Sequence, residues 1–314
     1  MNLRALRMFV TTADSGGLGR ACAQLNLSQP AASRQIHALE AELGVSLFHR
    51  VGRQLQLTSA GEHLLLQSRR LLADADLLAD RARELKGGRR GTLKVGATAQ
   101  LMTSVLASFL PSYRRRHSGI EIQLVERSAG QQSNELDRGE TDLAIMPASN
   151  ARFPGRLLFP LYVFAVVPHA HRLARLAVVD ISELMNDPLL MVSKGFGTRS
   201  YFDAACEMAQ VVPRVRFECS AAHTLIGLAA VNFGVAIVPS IALVADENVR
   251  ALPIVVRGAA VGHWEAVYWD PRRHALPYVH AFVNELAAHA SKTFPGRNVA
   301  RRAPPLLKPG RPFM

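Results

Sequence analysis

The sequence predicts an α/β protein built in series: an N-terminal all-α winged helix-turn-helix over residues 1–57, a linker helix and hinge over 58–90, and an α/β domain over 91–292. Three observations carry this reading. Apolar residues recur at helical spacing between tight turns up to residue 57. Leu64, Leu71, Leu78 and Leu85 fall seven apart. From Thr92 onward, strand-length apolar runs alternate with amphipathic helical ones, the pattern of parallel βα units.

Each element follows from its residues. Leu3, Leu6, Phe9 and Val10 share a helical face that ends at Gly16-Gly17. Leu18, Ala21, Cys22 and Leu25 form a second helix, and Asn26-Leu27-Ser28 is a three-residue turn. A third helix opens at Ser28, an N-cap residue, and tolerates Pro30 in its first turn. It turns Ala32, Ile36, Leu39 and Leu43 inward and stops at Gly44. Residues 47–57 alternate about Gly52-Arg53 as a small hairpin. Thr58 and Ser59 offer caps for the linker helix, and Ser59-x-x-Glu62 reads as a capping box at its start. Its leucine seam, with Ser68, Ala75 and Ala82 between, reads as a coiled-coil contact, which makes Leu64, Leu71, Leu78 and Leu85 the dimerisation residues. Gly87-Gly88-Arg89-Arg90-Gly91 reads as a hinge. Strands are expected at Leu93–Gly96, Ile120–Val125, Leu143–Met146, Leu161–Val167, Leu189–Val192, Val215–Cys219, Val235–Val238 and His263–Trp269, and helices over Leu106–Tyr113 and 278–291. Residues 293–314, rich in Pro and Arg, are expected to be a disordered basic tail.

Composition narrows the function classes. The 314 residues are 49 % hydrophobic and 20 % charged, which is globular. A net charge of +12 and a pI near 10.4 favour a polyanionic partner, nucleic acid first. Half of that charge comes from Lys292, Arg297, Arg301, Arg302, Lys308 and Arg311, with no acidic residue after Glu285. Three cysteines, Cys22, Cys206 and Cys219, make no disulfide framework and fit a reducing cytoplasm. Residues 225–245 are long and uncharged enough to raise a membrane span, but Asn232, Gly234 and Pro239 interrupt them. They read instead as a buried helix, a glycine stop, a buried strand and a proline turn, so no membrane partner is expected.

Two short helices joined by a tight turn, the second polar on its outer face, suit major-groove recognition. Gln29, Ser33, Arg34 and His37 lie off the apolar face, and Pro30 sits with them in the first turn. Arg34 can pair bidentately with a guanine and Gln29 with an adenine. Arg50 and Arg53 in the hairpin are placed to meet phosphates.

The run from Leu25 to Glu40, then Leu43-Gly44, Leu47-Phe48-His49-Arg50 and Leu57-Thr58-Ser59-Ala60-Gly61, resembles the N-terminal signature of LysR-type transcriptional regulators. Val166-Val167-Pro168-His169 and Phe233-Gly234-Val235-Ala236-Ile237-Val238-Pro239 fit the family's C-terminal domain, so the resemblance covers residues 3 to 290. It implies a two-lobed, periplasmic-binding-protein-like effector domain, with lobe I over 91–160 and 266–292 and lobe II over 161–265. It also implies promoter or operator DNA, a small-molecule effector, a second copy of the chain in a homodimer or homotetramer, and RNA polymerase as partners. No cofactor and no catalysis are implied. Two departures stand out: Gly16-Gly17-Leu18 where the family has Gly-Ser-Phe, and the basic tail beyond the family's usual end.

By the same resemblance, Thr98 and Gln100, after the first strand of the domain, sit where the family binds effectors. Ser128, after the second strand, and Ser193, Phe196, Gly197 and Thr198 from the second lobe join them. Strand ends and helix N-termini offer unpaired N–H groups there. A hydroxyl- and amide-rich lining suits a small anion or polar acid. Gly195-Phe196-Gly197-Thr198 lacks the third glycine of a dinucleotide fingerprint, and His169 and His171 have no third metal ligand at diagnostic spacing. Two alternatives stand beside the leading reading: a redox-sensing regulator using Cys206 and Cys219, and an enzyme with a fused helix-turn-helix. No acid, base or nucleophile set supports the latter.

Overall fold

A computed structural model describes residues 2–52, 54–85, 91–149, 152–242, 247–271, 276–294 and 296–309. The chain divides into two compact units, one holding residues 1–88 with the short stretch 137–140, the other holding 89–136 and 141–314.

The first unit opens with helices α1 (Leu3–Ser15), α2 (Leu18–Leu25) and α3 (Gln29–Leu43). Gly16 ends α1 in the left-handed region at φ 66°, and Gly17 caps α2 at φ 155°. Both conformations are ones that glycine adopts without strain. Leu6, Phe9, Leu39 and Leu47 form one buried cluster with Leu72, and Met8, Ala21, Cys22, Ala32 and Ile36 form another. Strands β1 (Phe48–Val51) and β2 (Gln54–Leu57) pair antiparallel as the expected hairpin. Helix α4 (Ser59–Leu85) follows.

Two details of α4 differ from the sequence reading. Of the two caps that the sequence offers, Thr58 is the one used, in place of the Ser59 capping box: its hydroxyl accepts from Gly61 N at 2.9 Å and donates to the Ser46 carbonyl at 2.6 Å. The cap therefore also fastens the end of the hairpin to the loop before β1. The leucine seam is not uniform either. Leu64 packs against the Leu6–Phe9–Leu39 cluster of its own chain, because the heptad that would face a partner overlaps the stripe facing α1. Leu71 and Leu78 stay 39 % and 71 % exposed. The side chain of Leu85, the hinge residues 87–90 and Arg53 lie outside the described residues.

The second unit is a mixed α/β domain. Strand β3 (Gly91–Ala97) leads through α5 (Ala99–Leu101) and a π-helical turn (Met102–Leu106) into α6 (Ala107–Arg116). Then come β4 (Ile120–Glu126), α7 (Ala129–Arg138), β5 (Leu143–Pro147) and the long β6 (Gly155–Pro168). β7 (Val179–Asp180), β8 (Leu189–Val192), α8 (Gly197–Ala209), β9 (Val215–Cys219), α9 (Ala222–Ala230) and β10 (Val235–Pro239) follow. β11 (Val249–Val256), β12 (Ala259–Ala260), β13 (Gly262–Trp269), α10 (Pro277–Thr293) and α11 (Arg297–Ala300) complete the chain.

The strand order is β4-β3-β5-β13-β6-β10-β8-β9, with β11 also on β6. β3 pairs parallel with β4 and β5, and β8 pairs parallel with β9 and β10, as alternating βα units require. β6 and β13 are the crossover strands. The first half of β6 pairs with β13, and its second half pairs with β10 and β11. Two lobes therefore share β6. Residues 225–245 give α9 and then β10; a Cβ on Gly234 would crowd the Pro188 carbonyl. No described helix is long and apolar enough to cross a membrane.

The tail from residue 293 was expected to be disordered. Among its described residues, 293–294 and 296–309, several instead pack against the domain. Phe294 stacks on Phe159 with ring centroids 5.3 Å apart, and Gly296 turns at φ 76° against Ser240. Ala300 is buried with Tyr162 and Phe164, while Val299 and Leu306 pack beside them. Trp264 donates to the Leu306 carbonyl at 3.4 Å, and the Lys308 ammonium lies 5.5 Å from its ring. The Pro/Arg-rich composition hid four apolar anchors, spaced too irregularly to register as an element. Truncation after Thr293 is expected to cost about 2 kcal/mol of apolar burial, lowering the melting temperature by about 4–8 °C. Scanning calorimetry of intact and truncated chains checks this; equal melting would show that the tail adds nothing to the domain.

Candidate nucleic-acid interface and ligand cleft

α3 is two-faced. Ala32, Ile36 and Leu39 are buried, while Gln29, Pro30, Arg34 and His37 are exposed and Ser33 is half-buried. The turn before it closes through Asn26 at φ 52°. Ser28 occupies the cap position, but its hydroxyl makes no capping bond. The first-turn N–H groups and that hydroxyl therefore stand beside the exposed side chains, the arrangement that receives a phosphate. Arg50 is exposed on β1.

Glu40 fixes this surface, and sequence reasoning missed it. Its Oε1 accepts from Leu47 N at 2.7 Å and Phe48 N at 3.2 Å, tying α3 to the hairpin. Its Oε2 lies 3.2 Å from His37 Nδ1. His37 is thus partly held by its own helix, although its side chain remains 75 % exposed. The carboxylate sits one turn past His37 on α3.

In the second unit a small cavity of about 30 Å3 lies between the lobes. Thr98, Gln100, Phe196, Gly197 and Thr198 line it, so five of the seven expected effector residues come together. Thr98 caps α5, accepting from Leu101 N at 3.4 Å. Gly197 opens α8, and a Cβ there would come within 2.8 Å of Pro147 and 3.3 Å of the His263 ring. Phe196 offers α8 no side-chain cap. Ser128 lies instead in an adjoining concavity with Ser149, Arg152, Ser200 and Tyr201, which shares Ala129, Met146, Pro147 and Gly197 with the cavity. Its N–H and hydroxyl both bond Gln131 Oε1, capping α7. Ser193 lines neither space; its N–H is bonded to the Cys219 carbonyl across β8 and β9. Ser104 Oγ bonds the Ile241 carbonyl at 2.9 Å, joining the lobes beside the cleft.

The cleft also holds residues that the sequence reading did not select. His263 and Glu265 project into it from β13, with Gln132 from α7. Strand alternation puts 263 and 265 on one face and Trp264 on the other. That alternation was visible, but on a strand it reads as a solvated polar face. Gln132 is fully buried, and its Nε2 donates to the Arg127 carbonyl at 3.1 Å. A carboxylate facing the cavity disfavours the purely anionic ligand that the hydroxyl-rich lining suggested.

Comparison with known proteins supplies the identity. Residues 3–62 match the profile for the bacterial regulatory helix-turn-helix protein, lysR family, and residues 86–291 match the LysR substrate binding domain. The chain belongs to the LysR family of transcriptional regulators. It is an effector-responsive, DNA-binding regulator. It is 33 % identical to the uncharacterized HTH-type transcriptional regulator YnfL of Escherichia coli strain K12, covering 87 % of this chain and 93 % of that protein. It is 31 % identical to the HTH-type transcriptional regulator TfdS of Cupriavidus pinatubonensis, covering 90 % and 97 %. Among solved structures, a full-length OxyR variant from Pseudomonas aeruginosa shares the fold at TM-score 0.72 and 24 % identity, covering 98 % of this chain and 99 % of that one. CbnR, a LysR family transcriptional regulator, does so at TM-score 0.63 and 21 % identity, covering 92 % and 99 %.

The likeness to OxyR is one of fold and lends little to the redox alternative. Cys206 is buried on α8, and burial, with Asp203 beside it, pushes its thiol up to about 11. A thiol that stays protonated at neutral pH is a poor nucleophile. Cys219 is half-buried and accepts from Ala221 N. In the native protein Cys206 is expected to react with iodoacetamide at pH 8 at least tenfold more slowly than Cys219. Mass spectrometry of timed digests measures both rates, and a faster Cys206 would revive the redox reading.

Proposed function

We propose that this regulator reads its operator with α3, using Gln29, Ser33 and Arg34 for bases and Arg50 of the hairpin for phosphate, as a dimer joined through α4. The observation that carries the reading is the division of α3 into a buried Ala32–Ile36–Leu39 stripe and an exposed Gln29–Arg34–His37 stripe on the second helix of a tight turn. The free cap of α3 supports a phosphate beside Pro30 and Gln29. Arg53 belongs to the same proposal from sequence alone. His37, bridged to Glu40, serves more to hold the helix than to read bases. RNA polymerase completes the partners that family membership suggests.

The cleft lined by Thr98, Gln100, Phe196, Gly197 and Thr198 is proposed as the effector site, with Ser128 at its adjoining concavity. Lobes that share crossover strands let a small ligand alter their relation, and helix starts present N–H groups to it.

Arg34→Ala is expected to weaken binding to the specific duplex by about 1–3 kcal/mol while leaving scrambled DNA nearly unaffected. Electrophoretic shifts with both duplexes test this, and retained discrimination would remove Arg34 from the base-reading set.

Leu78 tests assembly better than Leu71, because its 71 % exposure in the single chain makes substitution there harmless to the fold. Burying a leucine is worth about 1.5–3 kcal/mol on each chain, and Leu78→Asp replaces that with two facing carboxylates. The variant is expected to sediment as a smaller species at micromolar concentration and to lose operator affinity more than half-site affinity. An unchanged oligomer at full operator affinity would move the dimer contact elsewhere.

A further inference from the structure

The cleft contains a cluster of buried polar atoms that the chain itself leaves unpaired. The side chains of His263 and Glu265 are only 3 % and 5 % exposed, with Nε2 3.0 Å from Oε1. With the ring proton on Nε2, the imidazole donates to the carboxylate and Nδ1 is left as an acceptor. His263 Nδ1, Glu265 Oε2 and Gln132 Oε1 are then three acceptors without a partner. The Gln132 oxygen is the free end because its amide nitrogen is bonded to the Arg127 carbonyl. One donor, Gln100 Nε2, is also unpaired. All four residues line the same cavity of about 30 Å3, and Tyr201 stacks on the His263 ring at 4.4 Å, holding it in place. Native proteins rarely leave such buried groups unpaired, and a cluster of them calls for a missing partner.

The complement of these atoms can be read directly. Three acceptors around a carboxylate call for a cationic donor of three hydrogens, which is a primary ammonium. The nearby guanidinium of Arg199 does not fill the role: it is bonded to Asp203 at 2.9 Å and to Glu218 at 2.7 Å. The cavity admits a head of about that size. The lone donor, Gln100 Nε2, calls for an oxygen close to the ammonium. Beyond the head, Ser128, Ser149 and Ser200 line the adjoining concavity; the Ser128 and Ser200 hydroxyls donate to Gln131 Oε1 and the Phe196 carbonyl and keep lone pairs for the rest of a ligand.

We propose that the effector is an α-amino acid. Its ammonium sits among Glu265 Oε2, Gln132 Oε1 and His263 Nδ1, its carboxylate accepts from Gln100 Nε2, and its side chain extends toward Ser128 and Ser200. This deepens the reading of the cleft as the effector site and rests on it.

The test uses the full-length chain. Thermal shift and calorimetric titration are run with the twenty proteinogenic amino acids, each beside its N-acetyl and amine-free analogues, and with n-butylamine and propionate as one-ended probes. At least one amino acid is expected to raise the melting temperature, while its N-acetyl and amine-free analogues do not; this comparison needs no variant. Glu265→Gln is expected to weaken that ligand about tenfold to a hundredfold, as loss of a charge-assisted hydrogen bond does. A melting curve without ligand checks that the variant folds. Binding of propionate or the amine-free acids as tightly as the amino acid would overturn the amine while leaving the cleft as effector site. Tight n-butylamine binding without any amino acid would overturn the carboxylate contact and with it the class. A ligand whose affinity is unchanged in both Glu265→Gln and Gln100→Leu would overturn the cleft itself. No shift by any amine in the panel would also sink the proposal.

Discussion

The second unit depends on β6. Fourteen residues long, it belongs to both lobes at once, and from Leu161 to Val167 it is buried without a break. Val163, Ala165 and Val167 face one core cluster, while Val166 faces a second and Tyr162 and Phe164 face the tail. A strand covered on both faces must be apolar throughout, and Leu161-Tyr-Val-Phe-Ala-Val-Val167 meets that demand. It leaves no polar side chain to line the space between the lobes. That task falls to its antiparallel neighbour β13, where alternation can be used: Trp264 is turned to the C-terminal segment, and His263 and Glu265 to the cleft. A bulge between Glu265 and Ala266 marks the point where β13 passes from polar lining to buried core.

The first unit rests on closer tolerances. A Cβ on Gly61 would overlap the Leu47 carbonyl oxygen, and that carbonyl accepts from Thr58 N at 3.0 Å. Leu47 is itself completely buried, and its N–H is bonded to Glu40. One short loop thus meets the start of α4, the end of the hairpin and the middle of α3. The surface proposed to face DNA is positioned by backbone contacts that use little side-chain variety. This explains why the sequence pattern there is dense, while the residues free to read bases are few.

Legibility followed periodicity. The three N-terminal helices, the hairpin, the linker helix and most βα strands show in the sequence because their apolar residues repeat at 3.6 or 2. β11 does not, since Pro253 interrupts it and its apolar residues face two clusters. The tail escaped because Ala300, Val299, Leu306 and Phe294 are anchors without a period. Thr98, Gln100, Phe196, Gly197 and Thr198 were reached through resemblance, at a strand end and a helix start. His263, Glu265 and Gln132 were not, because their meaning depends on which face of a strand or helix the fold closes over. The register of β13 against β5 and β6 decides that, and no local signal encodes it.

The same register bears on what the cleft is for. Taking a carboxylate out of water costs several kcal/mol, and a buried ion pair is often no more stable than the apolar residues that could replace it. Glu265 lies on a strand whose next residues, Ala266, Val267 and Tyr268, are fully buried, so an apolar side chain at 265 would extend that core. Placing a half-paired carboxylate and a half-paired imidazole there opposes folding. The opposition is offset only when something arrives to complete their hydrogen bonds. Stability of the two-lobed domain and occupancy of its cleft are then linked through the same atoms: a ligand that completes them binds the folded arrangement more tightly than any other, and by that difference it can favour one relation of the lobes.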